Sequence, residues 1–165
     1  MKAFALLLAT LLFITRLQAA EVESLLEKSP DGVFELVAIK DTKLDDTHYV
    51  LRNAKTKAKV IADDNEFGED YINPGFGSPT LEWNPKNSRL LIIDAKLYRD
   101  RGNTSTVFRI TDDSKLVLVP TPEDAIPDRW NPDGSIVLLV RHEDVYRFDA
   151  GKNVLTPVKS QKAGK

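Results

Sequence analysis

Trp130-Asn131-Pro132-Asp133-Gly134 runs without a gap into Ser135-Ile136-Val137-Leu138-Leu139-Val140, and the chain writes this combination more than once. Trp83-Asn84-Pro85-Lys86-Asn87 precedes Ser88-Arg89-Leu90-Leu91-Ile92-Ile93. Ser29-Pro30-Asp31-Gly32, which lacks the Trp, precedes Val33-Phe34-Glu35-Leu36-Val37-Ala38. Proline presets φ for the second position of a type I turn, Asn or Ser before it accepts a backbone hydrogen bond, and Asp is favoured after it. The next residue often needs a positive φ, which Gly adopts freely and Asn tolerates best. Gly32, Asn87 and Gly134 stand there. Each apolar run is short, rich in β-branched residues and bounded by turn residues, so three strands are predicted. The last two runs are nearly continuous in apolar residues, as in strands covered on both faces.

Working outward, each predicted strand leads to another of matching pattern. His48-Tyr49-Val50-Leu51-Arg52, Thr106-Val107-Phe108-Arg109-Ile110 and Val145-Tyr146-Arg147-Phe148-Asp149 align, with Tyr49, Phe108 and Tyr146 in one place and Leu51, Ile110 and Phe148 two residues on. Within each strand those two residues share a face. A turn and a last strand follow: Lys57–Ile61, Lys115–Val119 and Val154–Val158. Alternating lysines on Lys57-Ala58-Lys59 read as protection of a sheet edge. Leu81-Glu82-Trp83 leads into the second turn, and Glu21 to Lys28 is read as the matching first strand. The expected fold class is therefore all-β, with three four-stranded antiparallel meanders over about 21–61, 79–119 and 126–158. From Gly32 to Asn87 is 55 residues and from Asn87 to Gly134 is 47, a spacing in the range of propeller blades.

Residues 1–20 read as a signal peptide. Lys2 supplies a positive start, and Phe4 to Thr15 is apolar but short for a bilayer span. The chain has no Cys, which closes both disulfides and lipoprotein acylation. A periplasmic or secreted location is expected. Removing residues 1–20 takes away Lys2 and Arg16 and no acid, moving the net charge from −2 to −4. That balance is no footprint for nucleic acid, and no later stretch is long and apolar enough to span a membrane as a helix. Residues 159–165 are polar and basic and read as a disordered tail.

These residues carry a family likeness. Trp-Asn-Pro-Asp-Gly-Ser, an apolar strand and then Val145-Tyr146-Arg147-Phe148-Asp149 resembles the β-propeller repeat of the TolB periplasmic protein and its relatives. The unit from Trp130 to Val158 fits well, that from Trp83 has Lys86 and Asn87 in place of Asp-Gly, and that from Ser29 lacks the Trp. The resemblance implies a partial β-propeller, with a β-sandwich or other all-β fold as the alternative. Single-chain propellers close with at least about four blades. Three units leave an apolar face bare at each end, and two chains joined as a homodimer would close a six-bladed ring.

The longest connection, Asp63 to Thr80, is the candidate binding loop, because long loops in compact domains carry function. Asp63, Asp64, Glu66 and Asp70 offer oxygen ligands, and Phe67, Tyr71 and Phe76 offer an aromatic surface. The loop does not keep the spacing of a helix-loop-helix calcium site: Phe67 falls at a ligand position and the closing Glu is missing. Gly75-Phe76-Gly77-Ser78-Pro79 is not a nucleophile elbow, since the Gly after Ser78 is absent. His48 and His142 are the only histidines and read as surface strand residues, so no metal or cofactor is expected. Pro30, Gly32, Trp83, Pro85, Asn87, Trp130, Pro132 and Gly134 read as structural. The expectation is an exported, non-enzymatic binding or scaffold module that engages a protein, a peptide or a cell-envelope component through blade-end loops. The alternatives are a hydrolase or lyase accessory domain using carboxylates of that loop, and a calcium-stabilised structural domain.

Overall fold

A computed structural model describes residues 21–62, 72–73, 77–96, 103–123, 125–139 and 143–158. The leader over 1–20 and the tail over 159–165 lie outside the described residues, as does most of the long loop. The described chain is all-β. A three-stranded sheet holds β1 (Glu21–Lys28), β2 (Phe34–Asp41) and β3 (Asp46–Asn53) in that order. The second sheet has five strands, in the order β4 (Ile61–Ala62), β8 (Lys115–Leu118), β7 (Asn103–Ile110), β6 (Asn87–Lys96) and β5 (Thr80–Asn84). The third has four, β12 (Val154–Pro157), β11 (Glu143–Asp149), β10 (Ile136–Leu139) and β9 (Ile126–Trp130). Neighbouring strands are antiparallel except β4 and β8, which run parallel.

The second and third units are four-stranded meanders with the expected boundaries. The first is not. Only Lys59 bridges back to Arg52, with Val60 N–H donating to Leu51 O at 2.8 Å. The chain then leaves its own sheet, and Ile61 N–H donates to Ser114 O of the second unit at 2.9 Å. The predicted strand Lys57–Ile61 is thus corrected to a crossing segment. Its pattern of lysines with Val60 and Ile61 suits either neighbour, and no local signal chooses between them.

The middle sheet is covered on both faces, as the unbroken run Leu90-Leu91-Ile92-Ile93 predicts. Leu91 and Ile93 join Trp83, Phe108, Ile110 and Leu116 in a core with Phe34, Leu36 and Leu51 of the first sheet. Leu90 and Ile92 join Val107 and Val119 in a core with Trp130, Ile136, Leu138 and Leu155 of the third. Phe34 stacks on Trp83 with ring centroids 6.3 Å apart, and the Arg89 guanidinium sits 5.8 Å above the Phe34 ring. Such contacts contribute about 0.5–1.5 kcal/mol beyond area burial.

The turns carry most of the repeat. Gly32 and Gly134 take positive φ, +71° and +84°. Asn87 does not, which corrects the expected equivalence. Asn84 and Asn87 pair directly across Pro85-Lys86, and Asn84 Oδ1 accepts the N–H of Lys86 at 2.9 Å and of Asn87 at 3.0 Å. That side chain closes the turn without a left-handed residue. Successive turns lean on one another: Asp31 N–H donates to Ser88 Oγ at 3.3 Å, and Asn84 Nδ2 donates to Gly134 O at 2.8 Å.

A one-residue slip separates the first unit from the others. Before the third turn Trp130 pairs with Ile136; before the first, Lys28 pairs with Glu35, one residue further along. Because side chains alternate, a slip of one turns every side chain to the opposite face. Phe34, Leu36 and Leu51 therefore point at the second sheet, while Val37, Ile39 and Val50 form a separate small cluster on the outer face. The aligned residues Phe108 and Ile110 point the other way, back at the first sheet, so Leu51 and Ile110 share one core.

Candidate functional site

The departure of the crossing segment opens a wedge. Antiparallel partners run together from Asn53, whose N–H donates to Ala58 O, as far as Leu51 and Val60, and then diverge as β4 turns toward β8. The cleft between them has a volume of about 500 Å³. His48, Tyr49, Val50 and Leu51 line one wall, Lys59, Val60, Ile61 and Ala62 the other, and Ile72 with Asn73 closes the end. Its floor is apolar: Leu51 is 1%, Val60 6% and Ile72 7% exposed.

The β3 wall is a sheet edge. Tyr49 N–H points outward and donates to Asn73 Oδ1 at 2.7 Å. Alternation puts the carbonyls of Thr47 and Tyr49 on the same edge as that of Leu51, which accepts from Val60. An edge of this kind is a template for another extended strand. Here one loop amide occupies one of its positions.

Of the predicted binding loop, Asp63, Asp64, Glu66, Phe67, Asp70, Tyr71 and Phe76 lie outside the described residues. The described part anchors the loop at this cleft. Ile72 inserts into the core shared by the first two sheets, and Gly77 takes φ +74°. His142 also lies outside the described residues. His48, read from sequence as a surface strand residue, lines the cleft. Lys59 and Asn73 were not singled out by sequence reasoning. Their roles depend on where the crossing segment goes, for which the sequence holds no local signal.

The structural residues are placed as turn and junction elements. Trp83 and Trp130 sit at the two junctions, both buried. Trp130 N–H donates to Glu82 Oε1 and its Nε1 to Glu82 O, both at 2.9 Å. Trp83 Nε1 is buried without a hydrogen-bond partner. Pro30 lies with Pro85 and Arg89 along the groove between the first two turns. Gly134 and Asp133 line the groove between the second and third. Pro132 follows Asn131 in the third turn, where Asp133 Oδ1 accepts from Ser135 N–H at 3.0 Å and Ser135 Oγ at 2.6 Å. Those two bonds hold the Asp133 carboxyl below its ordinary range.

Charge concentrates on the outer face of the first sheet. Glu35, 5% exposed, accepts from Arg52 Nε at 2.8 Å and Lys57 Nζ at 2.7 Å, and Arg52 also forks onto Glu23 at 2.7 and 3.0 Å. The Lys57 and Arg52 bonds lower the Glu35 pKa, and the Arg52 bond lowers that of Glu23. The network ties the crossing segment to β2 and β3. Among the described residues no three His, Cys, Asp or Glu side chains are grouped to hold a metal ion. No described helix is long and apolar enough to cross a membrane.

No family model matches the chain, and neither the curated proteins nor the solved structures compared with it give a match.

Proposed function

We propose that this protein is an exported, non-enzymatic binding module whose three meanders are arranged as a partial propeller of TolB-like repeats, and that it takes an extended peptide segment of a protein or envelope partner in the β3–β4 cleft. The leader-like residues 1–20 and the absence of Cys support export to a periplasm or beyond. Three features support the partial propeller: three turns leaning on one another in sequence order, parallel fourth strands at β4 and β8, and the Trp-Asn-Pro repeat.

One observation carries the binding reading. The β3 edge presents backbone groups beside an apolar floor, and a loop side chain, Asn73, already occupies one of them. Main-chain pairing along a sheet edge supplies affinity, and pockets for alternate side chains supply selectivity. Lys59 and His48 at the rim favour a segment with an acidic side chain between β-branched residues.

Selection of displayed linear peptides on the full chain tests this. The expected result is enrichment of alternating apolar and acidic sequences, with binding of the selected peptide weakened about tenfold or more in Lys59→Glu. No enrichment, or equal binding by the variant, overturns it.

A further inference from the structure

The two faces of the middle sheet are each buried by a neighbour, and the repeat shows what the matching surface of the third sheet lacks. In the second unit Val119 N–H donates to Val107 O at 2.9 Å; in the third, Val158 N–H donates to Val145 O at 2.8 Å. The two pairs are structural equivalents. Val107 and Val119 are fully buried because the third sheet covers them. Val145 is 37% and Val158 38% exposed, and beside them on the same face lie Leu139, 38% exposed, and Ile126, 56% exposed. These surround the buried Val137, which pairs with Val145 as Leu139 pairs with Ile126. A contiguous exposed apolar face rimmed by polar residues marks an association surface.

We infer that the outer face of the third sheet is a self-association surface, seating the same face of a second copy of this chain about a two-fold axis. Two observations select that occupant. First, in this repeat the equivalent face of the second sheet is covered by another sheet, so the interface continues one already present in the chain. Second, the rim is self-complementary in charge. Arg129 pairs with Glu143 at 3.0 Å and with Asp128, and Arg147 pairs with Asp133 at 3.0 Å, so both signs lie on one face, as an isologous contact requires. The outer face of the first sheet is not equally open. Its Val37, Ile39 and Val50 are 2–7% exposed within the chain, and Glu35, Arg52 and Lys57 are paired with one another. The inference does not rest on the peptide-binding reading, which concerns the opposite end of the stack.

Light scattering coupled to size exclusion on the full chain tests it. The expected species is a dimer, converted to monomer by Val145→Glu with an unchanged thermal midpoint, since that side chain is already partly exposed. A monomeric wild type at up to about 100 μM overturns the inference, as does a dimer indifferent to Val145→Glu. Because the chain has no Cys, Val145→Cys adds a second readout: mild oxidation of the dimer should join two copies through that position. Copies that remain unjoined, with the dimer intact, overturn the two-fold arrangement in favour of a ring closed through the first sheet.

Discussion

The first and third sheets lean on opposite faces of the same middle sheet, and they are attached by different means. The third is a self-contained meander stitched on by specific polar bonds: both N–H groups of Trp130 to Glu82, Asn84 to Gly134 O, and Arg109 Nε to Asn153 Oδ1 at 2.8 Å. The first sheet gives up its fourth strand to its neighbour and relies on a larger apolar contact, with Phe34 stacked on Trp83. Trp83 Nε1 finds no acceptor there. The first unit also lacks a Trp before its turn, and its register is slipped by one. Two units with the same turn signature are thus held by different physics. An exchanged strand binds through backbone, whereas a stitched sheet depends on particular side chains.

The largest expected effect breaks the first sheet's own anchoring. Glu35→Ala leaves Arg52 without one carboxylate and frees Lys57. Removing one partner of a buried pair costs about 3–5 kcal/mol, and because Lys57 is half exposed we expect about 2 kcal/mol. The pH dependence has a definite sign. The folded-state pKa of Glu35 is lowered from 4.5, so its stabilisation is fully present above about pH 4.5 and is lost as pH falls through the folded value. Urea unfolding of wild type and Glu35→Gln should therefore differ at pH 7 and converge near pH 3. A constant difference would remove the network from the account.

A smaller effect sharpens the contrast between the turns. Gly134 and Gly32 both take positive φ, but a Cβ on Gly134 would lie 3.1 Å from Lys86 Cβ and 3.2 Å from Asn84 Oδ1, whereas one on Gly32 would meet nothing within 4 Å. Gly32→Ala should cost about 1 kcal/mol from backbone strain alone. Gly134→Ala should cost about 2 kcal/mol, because the close approach between the second and third turns is also disturbed. Equal losses in denaturant unfolding would mean that this approach contributes nothing.

The smallest effect compares the two tryptophans. Trp130→Phe removes a hydrogen bond and strands Glu82 O, while Trp83→Phe removes an N–H that has no partner. Both lose similar indole area. Trp130→Phe should therefore be the more destabilising by about 1 kcal/mol in thermal or urea unfolding.

The candidate site was legible in the sequence only in outline. The long loop marked the right neighbourhood, since Ile72 and Asn73 come to the β3 edge. The walls were not legible, because they exist only where Lys59 to Ala62 leave one sheet for another. Local pattern carries strand propensity but not the identity of the pairing partner.

The sequence alone determined the all-β class, the three turns and the placement of Trp83 and Trp130 before the second and third. It also determined that Leu90 to Ile93 would be covered on both faces. These follow from φ preferences and from the period of the apolar residues, which are local. The tertiary structure decided the slipped register of the first unit, the exchange of β4, the side to which Leu51 points and the exposure left at Val145. Those depend on which edge and which face meet. Both choices are made by pairings between residues far apart in the chain, where a shift of one residue reverses every side chain.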